Sequence, residues 1–124
     1  RIKLCGIRRI EDARFAERLG VDAIGLVFHP GSPRHVSLDT ATDIVAATGG
    51  LMTAIALFHN AGADQVYPVL EALPQLIPQF HGNETPGFCE QFGRPYLKAF
   101  GMGREGSFTR CQYAGSYGRD GAQV

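Results

Sequence analysis

The chain has 124 residues, of which 44% are hydrophobic and 19% are charged, and its formal net charge is zero. This composition is that of an ordinary globular protein, and the length favours one domain. The balanced charge argues against nucleic acid or an anionic membrane as a partner, and no apolar run reaches the roughly 18 residues that a membrane span requires. The three cysteines have no metal-type spacing and the start is unlike a signal peptide, so we expect free thiols in a cytoplasmic protein.

Five short apolar runs predict β-strands at residues 1–5, 22–28, 52–58, 76–80 and 96–100. The fourth run contains Pro78, which is unusual in a central strand because proline lacks the N–H that the ladder uses. The near absence of polar residues within the second run is typical of a strand that is buried on both faces. Parallel strands are therefore expected.

Helical periodicity fills the four segments between these strands. Residues 10–19 predict the first helix, with Ala13, Phe15, Ala16 and Leu19 facing inward. The second should begin after Ser37 and end at Gly49-Gly50, with an apolar face of Leu38, Ala41, Ile44 and Val45. The third places Val66, Val69, Leu70 and Leu73 inward, and Pro68 should kink it or mark its start. Thr85-Pro86 should begin the fourth, with Phe88, Cys89 and Phe92 inward and Gly93 as its end.

Alternating strands and helices predict an α/β fold, either a partial (β/α) barrel of about five parallel strands or an open doubly wound sheet. No Gly-x-Gly-x-x-Gly fingerprint follows the first strand, which disfavours a dinucleotide-binding sheet. From Gly101 onward glycines interrupt the chain and no apolar period remains. We therefore expect residues 1–100 to form the partial barrel and residues 101–124 an irregular, glycine-rich tail.

A reactive polar side chain lies in or just after each predicted strand: Cys5, Arg34, Asn60, His81 and Lys98. In parallel β/α folds the carboxyl ends of the strands carry the chemistry. Each residue also has a plainer interpretation. Cys5 could be a small buried hydrophobe, Arg34 a solvated loop residue, and His81 a capping or core residue. Asn60 more simply turns its loop or caps the third helix. A lysine inside a barrel is costly unless it is paired, so we expect Lys98 to have a partner.

The motifs together resemble those of the phosphoribosylanthranilate isomerases of tryptophan biosynthesis. They are Lys3-Leu-Cys-Gly-Ile7, Ser32-Pro-Arg-His-Val36 after residues 22–28, Leu57-Phe-His-Asn60, Gln79-Phe-His-Gly82 with Glu84, and Lys98-Ala-Phe100. The resemblance covers residues 1–100 and implies a TIM barrel. It also implies an isomerase that needs no cofactor and no metal. Its reaction is the Amadori rearrangement of N-(5-phosphoribosyl)anthranilate, a phosphosugar, to 1-(o-carboxyphenylamino)-1-deoxyribulose 5-phosphate.

The resemblance also implies roles for individual residues. It makes Cys5 the general base and places substrate contacts at Arg34 and His81, with Lys3, Asn60 and Lys98 as further candidates. Lys3 lies two residues from Cys5 and hence on the same strand face, where its ammonium would favour a thiolate. The family's general acid follows strand six and its phosphate site follows strands seven and eight. Neither can be matched in this sequence, and Asp120 has no apolar strand before it.

Three interpretations of function therefore stand. The first is a phosphoribosylanthranilate isomerase whose activity is impaired because the C-terminal part of the barrel is missing. The second is a catalytically inactive partial barrel that acts as a binding or assembly module. The third is another phosphosugar barrel enzyme such as an epimerase, which the Lys-x-Cys-Gly opening and the Ser-Pro-Arg loop disfavour. Open sheet edges would promote self-association in a chain of five strands.

Overall fold

A computed structural model describes residues 1–101, in which strands and helices alternate along the chain. The elements are β1 (Lys3–Cys5), α1 (Ile10–Arg18), β2 (Ala23–Val27), α2 (Leu38–Ala47), β3 (Thr53–Phe58), α3 (Ala63–Ala72), β4 (Ile77–Phe80), α4 (Pro86–Glu90) and β5 (Leu97–Lys98). All strand pairs are parallel and the strand order follows the chain order. The five predicted parallel strands are confirmed. The predicted tail lies outside the described residues, apart from Gly101, and so do Cys111 and Asp120.

The two faces of the sheet differ in what covers them, and this decides between the two predicted architectures. Buried residues of all four helices pack with Ile24, Leu26, Ala54 and Phe58 of the strands in one core. The strand residues of opposite parity, Val27, Ile55 and Leu57, form a second cluster to which no helix residue belongs. Helices therefore cover one face only, as in a barrel, whereas a doubly wound sheet has helices on both faces.

A hydrogen bond across the face that no helix covers shows how strongly the sheet curves. Lys3 Nζ on β1 donates to Gln79 Oε1 on β4 at 2.5 Å, although β2 and β3 lie between these strands. A side chain spans that distance only if the sheet folds around a concave interior. The described residues thus form part of a barrel wall, with the cluster of Val27, Ile55 and Leu57 as its inner lining.

β4 tolerates Pro78 because the nitrogen of this residue points away from β3. His81 N donates to Phe58 O at 2.9 Å, so the odd-numbered N–H groups of β4 face β3. The nitrogen of Pro78 therefore faces β5, which begins only at Leu97, opposite Gln79. No ladder hydrogen bond is lost there, and the predicted fourth strand is confirmed.

The second and fourth helices begin at the predicted capping residues, whereas the predicted inward face of the first helix is wrong in part. Ser37 and Thr85 act as N-caps, each accepting a hydrogen bond from the backbone N–H three residues later. Pro68 lies inside α3, so it does not mark the start of that helix. The expected inward positions of Phe15 and Leu19 are wrong, because these residues are 55% and 63% exposed while Ala13 and Ala16 are buried. Phe15 is about 200° around the helix from Ala13, on the opposite side.

Candidate functional site

A cleft with a volume of about 290 Å³ lies at the carboxyl ends of the strands. It brings together Cys5, Arg34 and His81, three residues that are far apart in sequence. Further residues that line it are Val27, His29, Ser32, Leu57, Phe58 and His59. Three of the five polar residues expected at the strand ends therefore line one cleft, whereas Asn60 and Lys98 do not line it.

Cys5 is a free, exposed thiol at the carboxyl end of β1. Its register partner on β2 is Gly25. A Cβ atom at Gly25 would lie 3.0 Å from Cys5 Sγ and 2.9 Å from Leu57 Cδ1. The glycine thus gives the thiol room on the concave face, the face that Cys5 shares with Lys3 as the spacing predicts.

A folded loop after β2 carries Arg34 to the tip of β1. Within the loop, Ser32 Oγ accepts from the Arg34 N–H at 3.1 Å, and Val36 N donates back to Val27 O at 2.9 Å. Arg34 Nη1 then donates to Cys5 O at 3.2 Å. The side chain passes over Gly6, where a Cβ atom would lie 2.5 Å from Arg34 Cδ. One guanidinium nitrogen is thereby tied beside the thiol at the edge of the cleft.

Two ladders of rings run across the ends of β2, β3 and β4. Phe28, Phe58 and Phe80 stack on the helix side with centroid distances of 5.7 and 6.0 Å. The histidine that follows each of them lines the cleft, and these rings are 5.0 Å apart for His29 and His59 and 6.4 Å apart for His59 and His81. His29 and His59 were not among the residues predicted to form the site. A Phe-His pair repeated at three strand ends was the signal that could have found them.

Lys98 lies outside the cleft, buried on the helix side of the sheet, and it has the partner that its burial requires. Its Nζ is 2.8 Å from Glu84 Oε1, and the two side chains are 2% and 3% exposed. Lys98 Nζ also donates to Gly82 O at 2.7 Å. The predicted pairing is thus confirmed. Burial alone would raise the pKa of Glu84, but hydrogen bonds from Lys98 and from the Asn60 amide outweigh it and hold the pKa below its usual range.

Asn60 turns the loop after β3, as its plainer interpretation predicts, and does not cap α3. Its φ of 51° is in the left-handed region, and the N-cap of α3 is Gly62. The Asn60 N–H donates to Glu84 Oε2 at 2.8 Å, and its side-chain oxygen accepts from Asn83 N at 2.7 Å. Asn60 therefore connects the loops after β3 and β4 without lining the cleft itself.

Residues 1–101 contain neither a cluster suited to a metal ion nor a helix suited to spanning a membrane. No group of three or more His, Cys, Asp or Glu side chains in this range has an arrangement that could hold a metal ion. No helix in this range is both long enough and apolar enough to cross a membrane.

A wall of parallel β/α units with helices outside and a thiol, a guanidinium and imidazoles at the carboxyl strand ends defines the (β/α)-barrel class. A family model described as N-(5'phosphoribosyl)anthranilate (PRA) isomerase matches residues 2–116. The chain belongs to this family.

Individual relatives carry the same name. The N-(5'-phosphoribosyl)anthranilate isomerase of Azotobacter vinelandii is 56% identical over 99 residues, which is 80% of this chain and 48% of the relative. The crystal structure of the enzyme from Thermus thermophilus superposes with a TM-score of 0.81 at 34% identity, over 92% of this chain and 58% of that one. A further isomerase structure, in complex with reduced 1-(o-carboxyphenylamino)-1-deoxyribulose 5-phosphate, has a TM-score of 0.82 at 30% identity and covers 90% of this chain and 58% of that one.

The chain spans about half the length of the curated relatives that it matches.

Proposed function

We propose that the chain supplies the first half of a phosphoribosylanthranilate isomerase site and takes part in the Amadori rearrangement of N-(5-phosphoribosyl)anthranilate. The observation that carries the proposal is the meeting of Cys5, Arg34 and His81 in one cleft at the strand ends. The proposed reaction is the one for which the family is named. An isomerase structure that holds a reduced form of the product supplies the class of ligand.

Cys5 is the proposed general base. The rearrangement opens an aminofuranose and then moves a proton away from C2′ of the sugar, and the second step needs a base above that carbon. The thiol is exposed to the cleft, and the glycine beside it leaves space for a substrate to approach. Lys3 has a supporting role, since its ammonium lies on the same concave face, where its bond to Gln79 holds it.

Arg34 is the proposed clamp for the anthranilate carboxylate. A guanidinium can bind a carboxylate through two parallel N–H···O bonds, which fixes the ring as well as the charge. Among the guanidinium nitrogens of Arg34, only Nη1 donates a hydrogen bond to another residue of the described part of the chain, and its acceptor is Cys5 O. The apolar side chains of Val27 and Leu57, which line the cleft from the concave face, are suited to the aromatic ring of the same group.

His81 is the proposed second substrate contact, placed across the cleft from Arg34. Its backbone N–H is held by Phe58 O at 2.9 Å, so the ring projects from a fixed point beyond β4. An imidazole there can donate to a hydroxyl or a phosphate oxygen of the sugar. Asn60 and Lys98 are proposed to support this side of the cleft through the contacts described above.

Turnover of N-(5-phosphoribosyl)anthranilate by the purified chain tests the proposal, first alone and then after mixing with the unmatched half of the Azotobacter vinelandii relative. The resemblance places the general acid and the phosphate site in that half, so we expect activity to rise strongly on mixing. Binding of the reduced product by the chain alone, measured by calorimetry, tests the clamp without chemistry. Halves that associate without any activity would instead support the inactive binding or assembly module.

Self-association of the chain is also proposed. In the described sheet β1 pairs on one side only, and all three of its residues are exposed. Ile2 and Leu4 are 60% and 40% exposed, and Phe15 of the following helix is turned away from the core. An edge strand with exposed apolar side chains is a template for pairing with a strand of another chain.

A further inference from the structure

We infer that the buried carboxylate of Glu84 is a positioning device that couples the loops after β3 and β4 to the end of β5 and thereby sets the orientation of His81. The inference rests on the proposed function, because it concerns the orientation of a residue assigned there to substrate binding. It assigns a role in substrate binding to Glu84, a residue that does not itself line the cleft.

The first observation is that each oxygen of Glu84 has its own backbone partner. Oε1 accepts from the Gly82 N–H at 2.8 Å, and Oε2 accepts from the Asn60 N–H at 2.8 Å. Gly82 directly follows His81, and Asn60 directly follows His59. One planar carboxylate therefore fixes the backbone immediately after two of the histidines that line the cleft.

The second observation is that Lys98 anchors the same carboxylate to β5. Its ammonium lies 2.8 Å from Glu84 Oε1 and donates to Gly82 O at 2.7 Å, so both polar groups of the Gly82 backbone are held. Lys98 is opposite Phe80 in the ladder, which makes it a rigid reference point. Three successive strand ends are thus joined through one ion pair.

The burial of the pair indicates a geometric role. Removing two charges from water costs more free energy than an average ion pair returns, so such a pair is weak evidence for stability. Its hydrogen bonds are directional, and they add to the restraint on the backbone of the loops after β3 and β4. A ligand-binding histidine that follows a buried strand gains from such a restraint, because small displacements of a reacting group are costly.

The test compares Lys98→Met with the double substitution Glu84→Met, Lys98→Met. The single variant leaves a buried carboxylate unpaired, whereas the double variant removes both charges at similar volume, which buried pairs often tolerate. We expect the double variant to recover much of the melting temperature that the single variant loses. We expect it to bind the reduced product about 10- to 100-fold more weakly than the wild type.

A matched control is Glu17→Met in α1. Glu17 also accepts a backbone N–H from a distant loop, that of Gly49 at 2.6 Å, but Gly49 follows α2 at the opposite end of the strands from the cleft. We expect Glu17→Met to change the melting temperature but not the affinity for the reduced product. Should the double variant not fold, Glu84→Gln keeps the volume and one acceptor and supports the same comparison.

NMR separates failure of the inference from failure of the proposed function. The ring resonances of His81 should shift in the double variant while those of His35, which lies in another loop, stay in place. That result supports the restraint even if the wild-type chain does not bind the reduced product, an outcome that would count against the proposed function alone. Unchanged His81 resonances, or an affinity that recovers together with the melting temperature, would overturn the inference.

Discussion

Arg34 and Cys5 are joined by a hydrogen bond from Nη1 of the guanidinium to the backbone oxygen of the cysteine, 3.2 Å long. The bond ties the loop after β2 to the tip of β1. It therefore links the position of the proposed carboxylate clamp to that of the proposed base. If the two groups act on one substrate, a change at Cys5 should affect the chemical step, whereas a change at Arg34 should affect binding.

Replacing the proposed base should remove chemistry while leaving the fold intact. Cys5→Ser keeps the size of an exposed side chain, so stability should change little. A serine hydroxyl is far less acidic than a thiol, so the turnover of the reconstituted barrel should fall by about 10²–10⁴-fold. The control is Cys89→Ala, which removes a buried thiol from the core and should reduce stability but not turnover per folded molecule. Full activity in Cys5→Ser would remove Cys5 from the mechanism.

Exchanging the clamp for a lysine should weaken binding without removing charge. Arg34→Lys loses the planar fork, and we expect affinity for the reduced product to fall by roughly 1–3 kcal/mol, the range for hydrogen bonds to charged groups. Calorimetry measures the difference directly. Arg18→Lys, an exposed arginine in α1, is the matched control and should bind as the wild type does. Equal affinities for all three proteins would make Arg34 a solvated loop residue.

Gly6 offers a way to displace Arg34 without changing it. Gly6 and Gly20 both have positive φ values, 86° and 76°, so alanine at either position should cost roughly 1–2 kcal/mol in backbone strain. Only at Gly6 would the new Cβ atom also meet Arg34, because nothing lies within 4 Å of a Cβ at Gly20. Gly6→Ala should therefore lose ligand affinity as well as stability, and Gly20→Ala stability alone. Calorimetry and thermal unfolding of both variants check this difference.

The fold was predictable where one physical rule dominated. Strand and helix order followed from apolar periodicity and from caps such as Ser37 and Thr85, whose function is local. Phe15 was misplaced because hydrophobicity alone does not tell which face of a helix meets the sheet. The need for a partner at Lys98 followed from the cost of burying a charge, but its identity did not. Glu84 is 14 residues away and reaches Lys98 only because β4 and β5 pair.

The buried carboxylate should give the protein a specific dependence on pH. The pKa of Glu84 is lower in the folded chain than its ordinary value, so its stabilising contribution is fully present above the pKa of the unfolded chain, about 4.3. That contribution is lost as the pH falls through the pKa that Glu84 has in the folded chain. The difference in unfolding free energy between wild type and Glu84→Gln should thus be greatest near neutral pH and shrink below about pH 4. Chemical denaturation across this range measures it, and a difference independent of pH would show that the charge of Glu84 does not contribute.

The final prediction concerns the outer strand β1. Ile2, just before β1, and Leu4, within it, are exposed, and β1 pairs only with β2 among the described residues. The purified chain should therefore form dimers or larger species, measured by analytical ultracentrifugation. Leu4→Lys places a charge on this strand and should shift the chain towards monomer. Leu51→Lys is the control, since Leu51 is 101% exposed in the loop before β3, and it should leave the distribution of monomers and larger species unchanged.

Addition of the unmatched half of the Azotobacter vinelandii relative should compete with self-association and yield a compact complex of the two halves. A wild-type chain that is a cooperative, well-behaved monomer at all concentrations, with or without that half, would show that β1 is not an association edge.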